Sequence, residues 1–315
     1  MSRVLVRSLV VLLVRGAEAA LVLVVLATLV FFALRLLPGD PAALILGDQA
    51  SAADLAALRA RLHFDDPLHV QYARFLRALP TLDFGDSLRR PGVSSGARVV
   101  EALGPTSALA GLAVLLGAAF GIAAAVLAVG PWLGRPRGWI ERGLVTIAAS
   151  PLLAFAPLLT YVLAARWKIV PLPGDPDAGF AGLLFASGLL AIPLGAHVGR
   201  IGRAALLDIE RAPFLSVARA KGGTYARVWL LHAIPASTGP IVTVVATQLG
   251  ALLGGAVVLE RLFERAGLGT LILESYATRD LPVLEAAVIA AGGLFVLAQG
   301  VAGALHAAFD PRVRR

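Results

Sequence analysis

Five histidines, His63, His69, His197, His232 and His306, hold this chain's options for acid–base or metal chemistry. None stands at the His-Glu-x-x-His spacing that puts two imidazoles and a base on one helix face. Ser150 precedes Pro151 but lacks the Gly-x-Ser-x-Gly turn that exposes a serine nucleophile. Asp65-Asp66 would suit a cation, yet a solvated turn ahead of Pro67 accounts for the pair better. Asp208 and Glu210 read as partners for Arg203 and Arg211 rather than as a general base. No Gly-x-x-x-x-Gly-Lys-[Ser/Thr] phosphate loop occurs, so the chain should not bind ATP itself. Cysteine is absent, which removes thiol catalysis, thiolate metal sites and disulfides together. The expectation is a non-catalytic chain with no metal and no cofactor of its own.

The elements that such a sequence must build are membrane helices. It is 58% hydrophobic and only 15% charged, with a mean hydropathy of +0.82. Water-soluble domains carry roughly 25% charged residues, and a span needs ~20 apolar residues to cross a bilayer. Six spans are expected, at 16–37, 104–129, 139–165, 180–198, 241–259 and 282–308. The first has an apolar run too long for a cleaved signal peptide, whose core is about 7–15 residues. Pro105 suits a first helical turn. Pro151 and Pro157 fall inside the third span, where neighbouring helices resatisfy the freed backbone groups, and they mark either kinks lining a path or plain packing. Gly250 and Gly254 make a Gly-x-x-x-Gly step that favours close helix packing. Gln248 is read as the one uncharged amide deep in a span, facing a pathway or bridging helices.

Between the first two spans, residues 38–100 are soluble in character. A short amphipathic helix is expected over 52–62, with Leu55, Leu58 and Leu62 on one stripe. Another begins at Asp65-Asp66-Pro67. The stretch 260–280 reads as a loop. The segment between spans four and five, 200–240, is the longest polar interval in the second half of the chain. There a helix over 213–221 would be stopped by Gly222-Gly223, since glycine takes the left-handed capping conformation readily. Thr224 can cap a second helix reaching Ile234, and Pro235 would end it. The product is a helix–turn–helix knob.

Charge gives an orientation. With six spans, one side holds both termini, the 130–142 loop and the knob, carrying fifteen Lys and Arg against four Asp and Glu. Positive charge near span ends marks the cytoplasm, so both termini are expected inside and residues 38–100 outside. The net charge of +8 is then explained by topology, without a nucleic-acid partner.

The knob resembles the EAA loop of ABC importer permeases, in which a Glu-Ala-Ala triplet precedes a glycine and an Ile-x-Leu-Pro stretch follows. Here Gly222 and Pro235 fall in register, Ala218 matches the last alanine and Ile234 takes the leucine place. Ser216, Val217 and His232 depart from the pattern. The order Leu-Pro-Gly-Asp-Pro, Asp-Asp-Pro-Leu, Gln-Tyr and Phe-Gly-Asp-Ser-Leu along 37–88 is similar to the B-type subunit of the dipeptide/oligopeptide/nickel branch. The Gly-Gly-Ala-Val-Val-Leu-Glu and Asp-Pro-Arg-Val-Arg stretches carry the likeness to the end of the chain.

The resemblance implies an all-α, type I importer permease of six transmembrane helices. It has three parts: residues 1–37, an extracytoplasmic cap over 38–100, and a five-helix core over 101–315. It implies that Ser216, Val217, Ala218, Arg219, Ala220, Lys221 and Gly222 form the helix that docks into a cytoplasmic ATPase. Partners would be a second homologous permease, two ATPase subunits that bind ATP and Mg, an extracytoplasmic binding protein and membrane lipid. The location would be the inner membrane of a prokaryote. Cargo would be di- or oligopeptides, or else nickel complexes, sugars or opines. A self-contained secondary transporter would need intramembrane carboxylates, and spans two to six carry none in their middles. An intramembrane enzyme would need a paired nucleophile and base.

Overall fold

The fold is described by a computed structural model covering residues 2–35, 41–47, 50–130 and 137–309. Residues 37–40 of the Leu-Pro-Gly-Asp-Pro turn, the tip of the 130–142 loop and the 310–315 tail lie outside the described residues. Helices make up the described chain, with one isolated antiparallel bridge between Asp86 and Ser94. Among the described residues five helices are long and apolar enough to cross a bilayer, six if one bent pair counts as a single span. The all-α membrane fold expected from composition is thus present.

The chain forms two compact units. The first comprises Met1–Pro105 and Ala266–Leu297. Its elements are α1 (Ser2–Arg35), α2 (Pro41–Leu46), α3 (Ala52–Leu62), α4 (Leu68–Ala78), the first turns of α5 (Ser95–Val129), α13 (Leu268–Thr278) and the start of α14 (Leu281–Phe309). Helix α3 begins where the Ser51 hydroxyl accepts from Asp54 N at 3.1 Å, and ends on His63, left-handed at φ 55°. Helix α4 turns Phe75, Tyr72 and Leu76 onto Ala27 and Phe31 of α1 and Ile289 of α14. Its rings meet Phe31 edge-on or tilted at 5.1 Å, the arrangement that ring quadrupoles favour.

Helix α5 starts nine residues before the expected span, so Pro105 is interior rather than in a first turn. The early turns are polar on one side but bury Val99 and Ala102 against Leu268, Leu271, Val283 and Ala286. A hydropathy run cannot register that half-apolar extension. The expected 260–280 loop is mostly helix, because α12 runs to Leu262 and α13 follows.

The second unit comprises Thr106–Arg265 and Ala298–Arg315. It holds the rest of α5, α6 (Arg137–Ala149), α7 (Leu152–Thr160), α8 (Gly179–Glu210), α9 (Pro213–Ala220), α10 (Tyr225–Val228), α11 (Ile234–Ala236) and α12 (Thr238–Leu262). Leu109 and Ala113 of α5, Leu190 and Val198 of α8, and Ile241 and Leu259 of α12 share one core. Two glycine steps interlock α5 and α8. A Cβ on Gly121 would lie 2.6 Å from the Gly195 carbonyl, and one on Gly195 would lie 3.0 Å from the Gly117 carbonyl. Gly199 meets the Gly121 carbonyl in the same way, at 3.3 Å. The step noted at Gly250 and Gly254 does not do this: both are exposed, and nothing lies within 4 Å of a Cβ on Gly254.

The third expected span is broken. Helices α6 and α7 meet at 106°. Pro151 has no N–H to donate and its ring would strike the preceding turn, so it becomes the N-cap of α7 instead. After Thr160 the helix widens into a π turn, Tyr161–Arg166.

Candidate functional site

Helix α8 does not stop near Val198, where the span was expected to end, but runs on to Glu210, so the first part of the knob is its extension. Arg203 on that extension pairs with Glu141 of α6 at 2.8 Å, not with Asp208 or Glu210. Helix α9 then opens on Pro213, whose missing N–H is one the first turn would leave unpaired anyway. It closes through Lys221 and Gly222, the latter left-handed at φ +81°. Gly223 is needed for a different reason: a Cβ there would meet Val228 Cγ2 at 2.9 Å and the Ala218 carbonyl at 3.0 Å.

Amphipathicity decides which face α9 presents. Leu215 is fully buried and Ala218 is half-buried, both in a cluster with Leu206, Val228, Trp229 and Ala233. The other side shows Phe214 and Val217, 47% and 53% exposed, beside Ser216, Arg219, Ala220, Lys221 and Gly222, all exposed. Of the seven residues singled out from sequence, Ala218 alone faces inward. Phe214, which sequence reading left out, is the largest apolar group on the outer face.

A ladder supports the turn from behind. The Arg219 guanidinium sits 5.1 Å from the Tyr225 ring centroid, and Tyr225 stacks on Trp229 at 5.7 Å. The Tyr225 hydroxyl donates to Glu210 Oε1 at 3.3 Å. Burial first, then the Glu210 carboxylate, push the Tyr225 phenol above its ordinary range, against the Trp229 hydrogen bond and Arg219. Thr224 has the extended backbone of an N-cap but its side chain makes no capping bond. Nor does Pro235 end the second helix. A π turn over Trp229–Ala233 precedes it and the chain passes through Ile234–Ala236 into α12. A widened turn of this kind lets a proline sit where a regular turn would clash.

In the first unit Phe84, Gly85, Ser87 and Leu88 of the Phe-Gly-Asp-Ser-Leu stretch each have a structural reason. Phe84 joins the aromatic cluster, and Gly85 is left-handed at φ +109°. Ser87, fully buried, donates to the Asp280 carboxylate just before α14, whose other oxygen accepts from Leu88 N at 3.1 Å. The Ser95 hydroxyl accepts from Phe84 N at 2.8 Å. Nearby, Arg35 at the end of α1 pairs with Glu285 of α14 at 3.2 Å and donates to Gln71 of α4 at 3.1 Å. Sequence reading missed this set, because its members lie 36 and 250 residues apart and no local pattern joins them.

Gln248 is half-buried, and among the described residues its side chain makes no hydrogen bond. The bridge instead comes from Gln299 of α14, a second amide within a span, which donates to the Ala246 carbonyl at 3.1 Å. The two buried glutamates of the spans, Glu260 and Glu285, sit toward helix ends and are engaged: Thr106 donates to Glu260 at 2.5 Å and Arg35 donates to Glu285. Among the described residues no cluster of His, Asp or Glu could hold a metal.

The chain is similar to known proteins over most of its length. A family model described as binding-protein-dependent transport system inner membrane component matches residues 117–315, and the N-terminal model of the same kind matches residues 8–86. The glutathione transport system permease protein GsiC of Salmonella paratyphi A is 35% identical over 299 residues, covering 93% of this chain and 94% of that protein. GsiC of Escherichia coli is 33% identical over the same span and coverage. A crystal structure of an amino acid ABC transporter with histidines aligns with 68% of this chain and 94% of its own at 20% identity, with a TM-score of 0.49. The family match and the collinearity with these relatives place the chain among the binding-protein-dependent transport system inner membrane components, the non-catalytic permease subunits of ABC importers.

Proposed function

We propose that the knob at 200–240 is the coupling element of this permease, with α9 as the helix that seats in a separate ATPase subunit. The observation that carries the reading is the exposed pair Phe214 and Val217 on a helix braced from behind by Leu215. An eight-residue helix is marginal in water by itself, so packing on both faces suits it. Arg219 and Lys221 flank the apolar pair and would meet acidic groups. ATP and Mg would be held by two ATPase subunits, and a second permease would complete the membrane part. The small, exposed face of α12 at Gly250 and Gly254 is where we place that second permease, with Gln248 beside the pathway.

The experiment is disulfide trapping, for which a chain without cysteine is a clean background. Single substitutions Ser216→Cys and Ala220→Cys, each paired with a cysteine in the ATPase cleft, should crosslink. The yield should differ between nucleotide-free and ATP-bound states. If no position from 216 to 222 crosslinks in either state, the coupling assignment is wrong.

The same reading orients the chain. Both termini lie in the cytoplasm, residues 1–37 carry the first span, residues 38–100 form the outer cap where a binding protein would dock, and residues 101–315 form the core. The Lys and Arg asymmetry supports this. Reporter fusions after Ala50 and Asp175 should read outside and one after Arg315 inside. A cytoplasmic signal at Asp175 would mean that the bent α6–α7 pair does not cross, and one at Ala50 would sink the six-span topology.

For cargo, the relatives are named for glutathione transport. On that basis we assign this permease to the import of di- or oligopeptide-like substrates.

A further inference from the structure

The first unit encloses a cavity of about 390 Å³ between α3, α4, the 83–86 turn and the start of α14. That is the volume range in which small-molecule sites fall, ~300–1,000 Å³. Phe64, Phe75 and Phe84 give it an aromatic lining. Most of its charges are already engaged. Arg35 and Glu285 neutralise each other at 3.2 Å, and Arg74 is held by Asp66 at 2.6 Å. Asp83 accepts from Gly85 N at 3.1 Å, within its own turn.

Two opposite charges remain on separate elements. Arg61 belongs to the last turn of α3 and Asp86 to the turn before Ser87, and both line the cavity. Among the described residues neither side chain has an ion pair or a hydrogen bond. They do not pair with each other, so the cavity keeps a cationic and an anionic group beside its phenylalanine lining.

We propose that this cavity binds a short zwitterion of dipeptide size, its carboxylate on Arg61, its ammonium on Asp86 and an apolar side chain on the phenylalanines. Arginine suits the carboxylate because its fork matches two oxygens. The site is separate from the coupling knob and from any pocket of a binding protein. For the choice of ligand it rests on the peptide-import reading; for its location it rests on the cavity alone.

The test uses the full-length chain in nanodiscs, with whatever subunits copurify, and no binding protein or nucleotide. Alanyl-phenylalanine is titrated against the protein, alongside its N-acetylated and C-amidated forms. The free dipeptide should bind saturably, and each blocked form should bind about tenfold more weakly or worse, as loss of one charge-assisted hydrogen bond implies. Arg61→Gln should weaken the free dipeptide about tenfold yet leave the amide unchanged, and Asp86→Asn should do the same for the acetylated form. Both residues are exposed, so the variants should fold. Absence of saturable binding, equal binding of free and blocked forms, or variants that bind like the wild type would each overturn the site. Uptake of the same dipeptide by the whole transporter with its binding protein tests the peptide-import reading by itself: uptake without binding here overturns the cavity site alone, and no uptake overturns the import reading.

Discussion

Gly121→Leu should leave almost no correctly folded permease. A Cβ on Gly121 would sit 2.5 Å from Val198 Cβ and 2.6 Å from the Gly195 carbonyl. The second contact is with backbone inside a helix, which cannot swing aside as a side-chain tip can. Helices in a bilayer gain nothing from hiding apolar surface from each other, and their attraction comes from packing at close range. Forcing α5 off α8 therefore removes the attraction itself, a loss of about 3 kcal/mol, the upper end of the usual cost of overpacking. Gly111→Leu is the matched control on the same helix, since Gly111 is exposed with nothing within 4 Å of an added Cβ. Thermal unfolding and monodisperse yield in detergent measure the difference. Equal behaviour of the two variants would show that the interlocked glycines are not what holds α5 to α8.

Gly222→Val should abolish transport in a chain that still inserts and folds. Nothing stands within 4 Å of a Cβ at Gly222, so the variant meets no clash. The obstacle is the backbone at φ +81°, a region that a β-branched residue rarely enters and that costs on the order of 1–3 kcal/mol to hold. The chain relieves that strain by rotating the segment between α9 and α10, which re-aims Phe214 and Val217. Transport should fall to background while ATP hydrolysis by the partner continues, uncoupled from cargo. Gly222→Asn should restore most transport, because asparagine tolerates the left-handed region. If valine transports as well as asparagine, the turn geometry has no part in coupling.

The sequence announced some of this plainly. Apolar runs marked the spans because a bilayer imposes one simple requirement on every residue of a helix. The α9 helix and its glycine stop were legible because Pro213 and Gly222 act through local backbone geometry. What stayed hidden depended on distant partners. Ser87 and Asp280 are 193 residues apart, and nothing near either says that they meet. The glycines of α8 looked like any others until α5 lay against them. Pro105 and Pro235 were misread, and the kink reading of Pro151 stayed undecided, for one reason. Whether Pro105 is tolerated in a helix, Pro151 breaks one, or Pro235 is carried by a widened turn depends on what surrounds the freed carbonyl, and composition does not record that.

Helix α1 is anchored at one end. Only 11% of its apolar stretch is buried, and what is buried, Ala27 and Phe31, lies in its last third, next to Arg35. Most of residues 13–25 are exposed, a surface suited to lipid tails, which do not distinguish valine from leucine. Selection on this helix should therefore work in two registers: residue by residue over the final turns, and on oiliness over the apolar run before them. The earlier turns can wander among aliphatic side chains over evolutionary time with little consequence for the fold. Lineages should diverge fastest there, and alignments built on that stretch would record ancestry poorly.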